Sequence, residues 1–515
     1  MNKHFDVVVL GAGLAGLSLA RQLTLVSDKA ILLLEKRVQV PPVRQKVGEA
    51  TVQLSGYYFS KVLDLEDHLL QEHLMKYNLR FYWKNQEGGD SYEHYSQSYI
   101  RNLSNIASYQ LDRNKIEAEL LKRTRQAPTF TFLAGVSDFV VGLLEDDAQN
   151  VKFRVGREQH EVSATWVIDA TGRSRFVARN LQLTKGSPIR HGACFFWVDG
   201  LVNIEKLSDL SARASRMNQN RRMTGHLPTW LATNHFVGEG YWFWVIPLRG
   251  KTSLGLVYDR EKVPPELVST PVKTIDWVCR NFPLFARDLK SRKILDQGAF
   301  RDFSYDCQQT ISDSRWALTG EAGRFADPLY SPGGDRIALH NTLITDCILT
   351  NDPRQLRTKT RVYEVLMRAL YQAYVPSYAV SYEVLGDQEC FTVKYAWELA
   401  VYFTFFVFPF INELFTDLRF AASYLREFAK LGELNRSLQQ YITDYYRWKK
   451  LRYDPPNGPQ FFDFMELGGL RSTERLFYQV GLTAVEGATV LAQESVKLTE
   501  FARYIVAHIG AAVSI

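Results

Sequence analysis

Apolar and polar positions along this chain follow three regimes in turn. At the start, Phe5 to Leu10 (FDVVVL) is a nearly unbroken apolar run, the pattern of a parallel strand covered on both faces. The turn GAGLAG follows, then a helical stretch through Leu25, and AILLLEK reads as a second strand of the same kind. Residues 48–126 read as helices in pieces, with an aromatic strand near Leu79–Trp83. From about Phe130 to Ile168, short alternating runs such as FRVG and ATWVIDA predict strands that return to the first sheet.

The second regime spans residues 190–300. Its runs ACFFWVDG, YWFWVIPL and TSLGLVYD alternate aromatic with smaller residues and predict an antiparallel sheet. Trp316 to Asn341 then reads as a strand, a Gly/Pro-rich loop and the start of a helix. In the third regime, from about Thr342 onward, helical patterns dominate, with few turn signals before Pro455–Pro459. Within it Leu399–Ile411 carries no charge and is bracketed by Glu398 and Glu413. Thirteen residues are too few to cross a bilayer as a helix, so the run is expected to be a buried helix or cavity wall, with a membrane-dipping surface as the alternative.

Composition narrows the function classes. At 515 residues the chain has room for two or three domains. A formal charge of +6 without a dense Lys/Arg run does not point to nucleic acid. Five cysteines (Cys194, Cys279, Cys307, Cys347, Cys390) are scattered without C-x-x-C spacing, a reduced pattern with neither a disulfide framework nor a metal site. FDVVVL begins almost at Met1 with no leader before it, so a cytoplasmic location is expected.

The chemistry starts with Gly11, Gly13 and Gly16, which form G-x-G-x-x-G between a predicted strand and a predicted helix, with Glu35 closing the second strand. The glycines permit a tight turn, close approach of a pyrophosphate and helix-on-strand packing. The helix N-terminus stabilises phosphate charge, and the acid accepts from a ribose. Asp169-Ala170-Thr171-Gly172 matches the second FAD fingerprint of glutathione-reductase-like flavoproteins. Gly320-Glu321 with Pro328 resembles the third, with Glu321 where Asp is usual. Gln110 and Arg113 resemble the motif that contacts the flavin's phosphate region; a solvated charge at a helix start is the plainer reading of Arg113. The expected fold is therefore α/β. Residues 1–190 and 300–345 would form a discontinuous FAD-binding domain, 190–300 an antiparallel substrate sheet and 345–515 a helical region. No second G-x-G-x-x-G follows a strand, so no nicotinamide domain is expected.

Five features in order resemble the flavin-dependent halogenases: the glycine loop, V-G-E-A-T at Val47–Thr51, Lys76, the W-x-W-x-I-P of Trp242 to Pro247, and D-P-x-x-S-x-G at Asp327–Gly333. The resemblance implies a flavin reductase as partner and FADH2, O2 and chloride or bromide as reactants. A flavin hydroperoxide oxidises halide to hypohalous acid, which a lysine captures beside an electron-rich ring, free or carrier-tethered. It carries Lys76 over as the catalytic lysine, Trp242 and Trp244 as the wall between flavin and substrate, and Arg44, Glu49 and Ala50 as further cofactor contacts. The plainer reading of Lys76 is an exposed lysine like Lys61 and Lys84. Two departures stand out. Tyr330 occupies the place of the tryptophan halogenases' glutamate, which points to a phenol, resorcinol or pyrrole substrate. Pro332 replaces a residue whose N–H would hold halide, leaving Gly333 and Gly334 as the halide candidates. The alternative is an FAD-dependent monooxygenase or other oxidoreductase without a halide site.

Overall fold

The computed structural model describes residues 4–86, 88–143 and 148–514. Its first sheet has eight strands. At its centre His4–Leu10 pairs in parallel with Ile31–Glu35 on one side and Glu158–Asp169 on the other; Phe130–Ala134 and Trp316–Leu318 extend the parallel set outward. The apolar run of the first strand is thus explained by neighbours on both edges and side chains buried on both faces. Two segments of the expected return, Val136–Gly142 and Gln149–Val155, form an antiparallel flap on Glu158–Asp169. Residues 144–147 of that stretch lie outside the described residues.

The second sheet also has eight strands. Ile294–Phe300, His191–Asp199, Lys251–Asp259, Tyr241–Leu248 and Thr233–Gly238 follow one another in antiparallel pairs. Leu79–Lys84 then joins in parallel, Tyr95–Tyr99 pairs antiparallel with it, and Phe461–Asp463 closes the edge in parallel. This sheet therefore recruits strands from residues 79–99 and 461–463, well outside 190–300, and is mixed at its far end.

Each strand sends alternate side chains to opposite faces. Phe243 and Val245 pack into one apolar cluster with Phe236 and Phe285, whereas Trp242, Trp244 and Ile246 face the main core. Helix Gln388–Tyr402 packs on strand Tyr95–Tyr99 of this sheet, and Pro353–Ala379, Leu418–Lys450 and Ala484–Val513 join the same core, stacked helix on helix. Gln388–Ile411 is long and apolar enough to cross a membrane, yet 83% of its most apolar window is buried inside the protein. Fully burying a side chain the size of Leu or Phe contributes about 1.5–3 kcal/mol, so the apolar character of this segment is accounted for by packing.

Candidate functional site

The carboxyl ends of the first sheet's central strands bring the glycine loop and two carboxylates together. Leu10 is in register with both Leu34 and Asp169, and the amides of Gly11 and Ala170 donate to Leu34 and Leu10. Gly11 has φ +105°, and a Cβ there would meet the Ala170 carbonyl at 2.6 Å; a Cβ on Gly16 would sit 2.1 Å from the Gly11 carbonyl. At Gly13 a Cβ would meet nothing within 4 Å, so the loop presents open space at the start of helix Leu14–Val26. Glu35 accepts from the amides of Ala12 (2.9 Å) and Arg37 (3.0 Å), which fixes the acid beside the loop. Asp169 is fully buried and accepts from the amides of Thr171 (2.8 Å) and Val177 (2.7 Å); burial raises its pKa. It organises the turn at Gly172, where a Cβ would again meet open space. Glu321 and Pro328 are half-buried on the loop after Trp316–Leu318.

Other expected cofactor residues are held by protein partners. Gln110 donates to Leu231 O and Thr233 Oγ1 at 3.3 and 3.1 Å. Arg113 donates to Val47 O (2.7 Å) and pairs with Glu117 (2.7 Å). Arg44 is exposed, and Ala50 bridges to Gln110. Glu49 is 2% exposed and accepts from the Trp197 indole at 2.7 Å; burial pushes its pKa up to about 7.

Between the second sheet and the helices lies a cavity of about 340 Å³. Lys76 lines it. Only 4% of this residue is exposed, its Nζ donates to Thr51 O at 2.6 Å, and burial lowers its pKa to about 7. V-G-E-A-T and the lysine therefore meet through one hydrogen bond. Across the cavity Asp335 accepts from Ser55 N (2.9 Å) and Tyr402 Oη (2.8 Å), with burial raising its pKa to about 6. Lys76 and Asp335 feel each other's charge, each favouring ionisation of the other. Tyr330, Tyr395, Tyr402, Phe403 and Phe406 complete much of the wall. The 399–411 run is thus partly a cavity wall, with a π-helical turn over Phe403–Val407.

Trp242 and Trp244 stand side by side, ring centroids 5.6 Å apart, and both are buried outside this cavity wall. Trp244 donates to Ser253 Oγ (3.1 Å) and Trp242 to Tyr382 Oη (2.6 Å). Tyr382 stacks on His191 at 3.9 Å and reaches Asp327 Oδ2 at 3.4 Å, while His191 Nδ1 lies 2.6 Å from the same oxygen. The tryptophan strand is so tied to the D-P-x-x-S-x-G loop. That loop enters helix Pro332–Ile348 through two left-handed residues, Tyr330 and Ser331. Pro332, Gly333 and Gly334 form the first turn of the helix; a Cβ at Gly333 would meet nothing within 4 Å, and one at Gly334 would meet Ser55 Cβ at 2.7 Å.

No protein-family model matches the chain. A flavin-dependent halogenase, chlA of Dictyostelium discoideum, is 26% identical over 442 residues, covering 80% of this chain and 71% of that protein. The chain is thus similar to flavin-dependent halogenases over most of its length. A 1H-pyrrole-2-carbonyl-[peptidyl-carrier protein] chlorinase of Pseudomonas fluorescens is 23% identical over 351 residues, 65% of this chain and 73% of that enzyme. Among solved structures, halogenase PltM in complex with phloroglucinol and FAD superposes with a TM-score of 0.65 at 18% identity, covering 96% of each chain.

FAD is the cofactor of this protein, and the open cradle at Gly13, the fixed Glu35 and the open space at Gly172 fit it. Two cavity groups, Asp335 and Glu398, and His235, which feels the charge of Lys76, escaped the sequence reading. Asp335 looked like an ordinary first-turn acid. His235, stacked on Phe81 at 4.8 Å and lowered to about pKa 3 by burial, gave no signal. Glu398 was visible only as the charge that ends an apolar run, although its spacing four residues after Lys394 could have marked a buried ion pair.

Proposed function

We propose that this protein uses FADH2, O2 and chloride or bromide to halogenate an electron-rich ring, namely a phenol, resorcinol or pyrrole. The observation that carries the reading is Lys76: an amine with a pKa near 7, buried in the wall of a cavity large enough for a substituted ring. Gly11, Gly13, Gly16, Glu35, Asp169, Gly172, Glu321 and Pro328 would hold FAD, with Arg44, Glu49, Ala50, Gln110 and Arg113 shaping its flank. When bound and reduced, FAD supplies with O2 the oxidising equivalents that turn halide into hypohalous acid.

The chain's own groups then do the positioning. Lys76 Nζ holds the hypohalous acid by hydrogen bonding, aimed by its bond to Thr51 O. Trp242 and Trp244 form the barrier that keeps the substrate ring away from the flavin. Gly333 and Gly334 offer halide the first-turn N–H groups that a helix leaves without internal acceptors, and Pro332 at the first position gives up a donor the helix does not use. The relatives support the substrate class, since PltM is complexed with phloroglucinol and the P. fluorescens enzyme is a pyrrole chlorinase. A flavin reductase is the proposed electron source.

The second reading, a monooxygenase without a halide site, rests on Pro332. Purified protein with FAD, an external reductase, NADH and bromide is assayed against phenols, resorcinols, pyrroles and indoles by mass spectrometry, alongside Lys76→Ala. A brominated ring that vanishes in the variant is expected. Hydroxylated product, or NADPH turnover without the reductase, establishes the second reading instead.

A further inference from the structure

Glu398 lies on helix Gln388–Tyr402 with its carboxylate in the cavity wall. One oxygen is spoken for: Oε1 accepts from Lys394 Nζ at 2.5 Å and from Gln439 Nε2 at 2.8 Å. The other is not. Oε2 is buried and has no hydrogen-bond partner among the described residues. A buried carboxylate oxygen without a donor is costly, and such an atom in a cavity marks a place where a ligand supplies the donor.

The groups around it define what that donor is. Tyr330 and Tyr395 share the wall, and Glu398 helps burial hold both phenols above their ordinary pKa. The Tyr330 hydroxyl lies beside the Glu398 carboxylate and interacts with it, but its geometry does not satisfy Oε2, and its own oxygen accepts from Lys394 at 3.4 Å. Tyr374 and Tyr378 on the neighbouring helix feel the same carboxylate, and Asp335 and Lys76 line the rest of the cavity. The wall thus holds an amine suited to hypohalous acid and a carboxylate oxygen suited to a proton donor.

We infer that Glu398 Oε2 accepts the hydroxyl proton of a phenolic substrate and so activates the ring for halogenation. This rests on the halogenase reading above, which supplies the hypohalous acid. The phenol's proton passes to Oε2, and the released electron density lets a ring carbon ortho or para to the oxygen take halogen from the hypohalous acid at Lys76. Hydroxide leaves and takes a proton from the Lys76 ammonium, forming water. The ring carbon then loses its hydrogen as a proton to the Lys76 amine, and the oxygen recovers its proton from Glu398. In sum, hypohalous acid and a ring C–H give a ring C–halogen and water. A phenol, with a pKa about 10, can give up its proton this way, whereas a pyrrole N–H is far too weak an acid.

The test compares a resorcinol-type phenol with its fully O-methylated ether, using full-length protein, FAD, reductase, NADH and bromide. Wild type is expected to favour the phenol in kcat/KM by at least about 30-fold, the worth of the charge-assisted hydrogen bond alone. In Glu398→Gln the phenol-to-ether ratio falls to near one, with the loss mainly in kcat. Because that change strands Lys394, the double variant Lys394→Met/Glu398→Gln is measured beside it and shows the same collapse. Equal rates on phenol and ether in wild type overturn the inference without any variant, as does a ratio kept in both variants. Wild type that forms hypobromous acid but does not distinguish phenol from ether leaves the halogenase reading standing and removes Glu398 from it. No oxidised bromide at all defeats the reading itself.

Discussion

Two buried groups, Lys76 and Glu49, are brought near pKa 7 from opposite directions by the same cause, burial, and each leaves its own mark on stability. Lys76 is lowered from 10.5 to about 7 by burial, so between those values the unfolded chain binds a proton that the fold refuses. Its stability deficit is complete below pH 7 and vanishes as pH rises toward 10.5. Replacing it as Lys76→Met is expected to raise stability at pH 7 by up to about 4 kcal/mol, remove the rise in stability above pH 7, and abolish halogenation. Denaturant titrations from pH 7 to 10 check this. Glu49 has the opposite slope: burial raises it from 4.5 to about 7, so its deficit is full above pH 7 and disappears as pH falls toward 4.5. In Glu49→Gln the Trp197 bond has an acceptor still, and the decline in stability between pH 4.5 and 7 is expected to flatten. Neither group announces its burial in sequence. Lys76 lies among His73, Tyr77 and Asn78, flanks no different from those of an exposed lysine.

Among the elements, periodicity did well where it concerned one strand and poorly where it concerned a partner. FDVVVL is the central parallel strand its solid apolar run implies, and the alternation in YWFWVIPL sends both tryptophans to one face. The run Leu79–Trp83 is a strand as well, but its aromatic pattern carries no information that Thr233–Gly238 lies beside it, some 150 residues away along the chain. Glu398 failed for a related reason, since an ion pair formed inside a helix face looks in sequence like the border of a hydrophobic stretch. The link from Trp242 through Tyr382 to Asp327 joins three elements and is equally invisible. Its removal in Tyr382→Phe leaves the buried Trp242 N–H without an acceptor and is expected to cost about 1–3 kcal/mol. A double-mutant cycle with Trp242→Phe should recover most of that loss, because the second change removes the stranded donor.

At the scale of the molecule, the glycine fingerprint, the aromatic strands and the helical tail were all legible, together with the FAD cofactor and the likeness to flavin-dependent halogenases. What was not legible is how far the tail intrudes. Ala373, Tyr374, Tyr395, Glu398, Phe406 and Leu431 all line the cavity, so about half its wall is written beyond residue 345. A chain cut after residue 350 would expose the core face of the second sheet. It is expected to partition into the insoluble fraction on centrifugation, and co-expression of 351–514 is expected to return it to the supernatant.

The edge strand Phe461–Asp463 has a temporal consequence. It docks in parallel beside Tyr95–Tyr99, a pairing that spans more than 360 residues. Sheet formation that depends on such distant partners is slow, because the entropy of loop closure is lost before the contacts return anything. On the ribosome, strands 79–99 emerge early and wait for their last neighbour until nearly the whole polypeptide has been made. At about 5–20 residues per second that is an interval of roughly 20 to 70 seconds. For that time Tyr95–Tyr99 has an open hydrogen-bonding edge, and the cavity lacks the wall written beyond residue 345. Holding the nascent chain from early collapse or aggregation is therefore a task for chaperones, and expression at low temperature with raised chaperone levels should increase the yield of active enzyme more than codon changes in the first 100 residues.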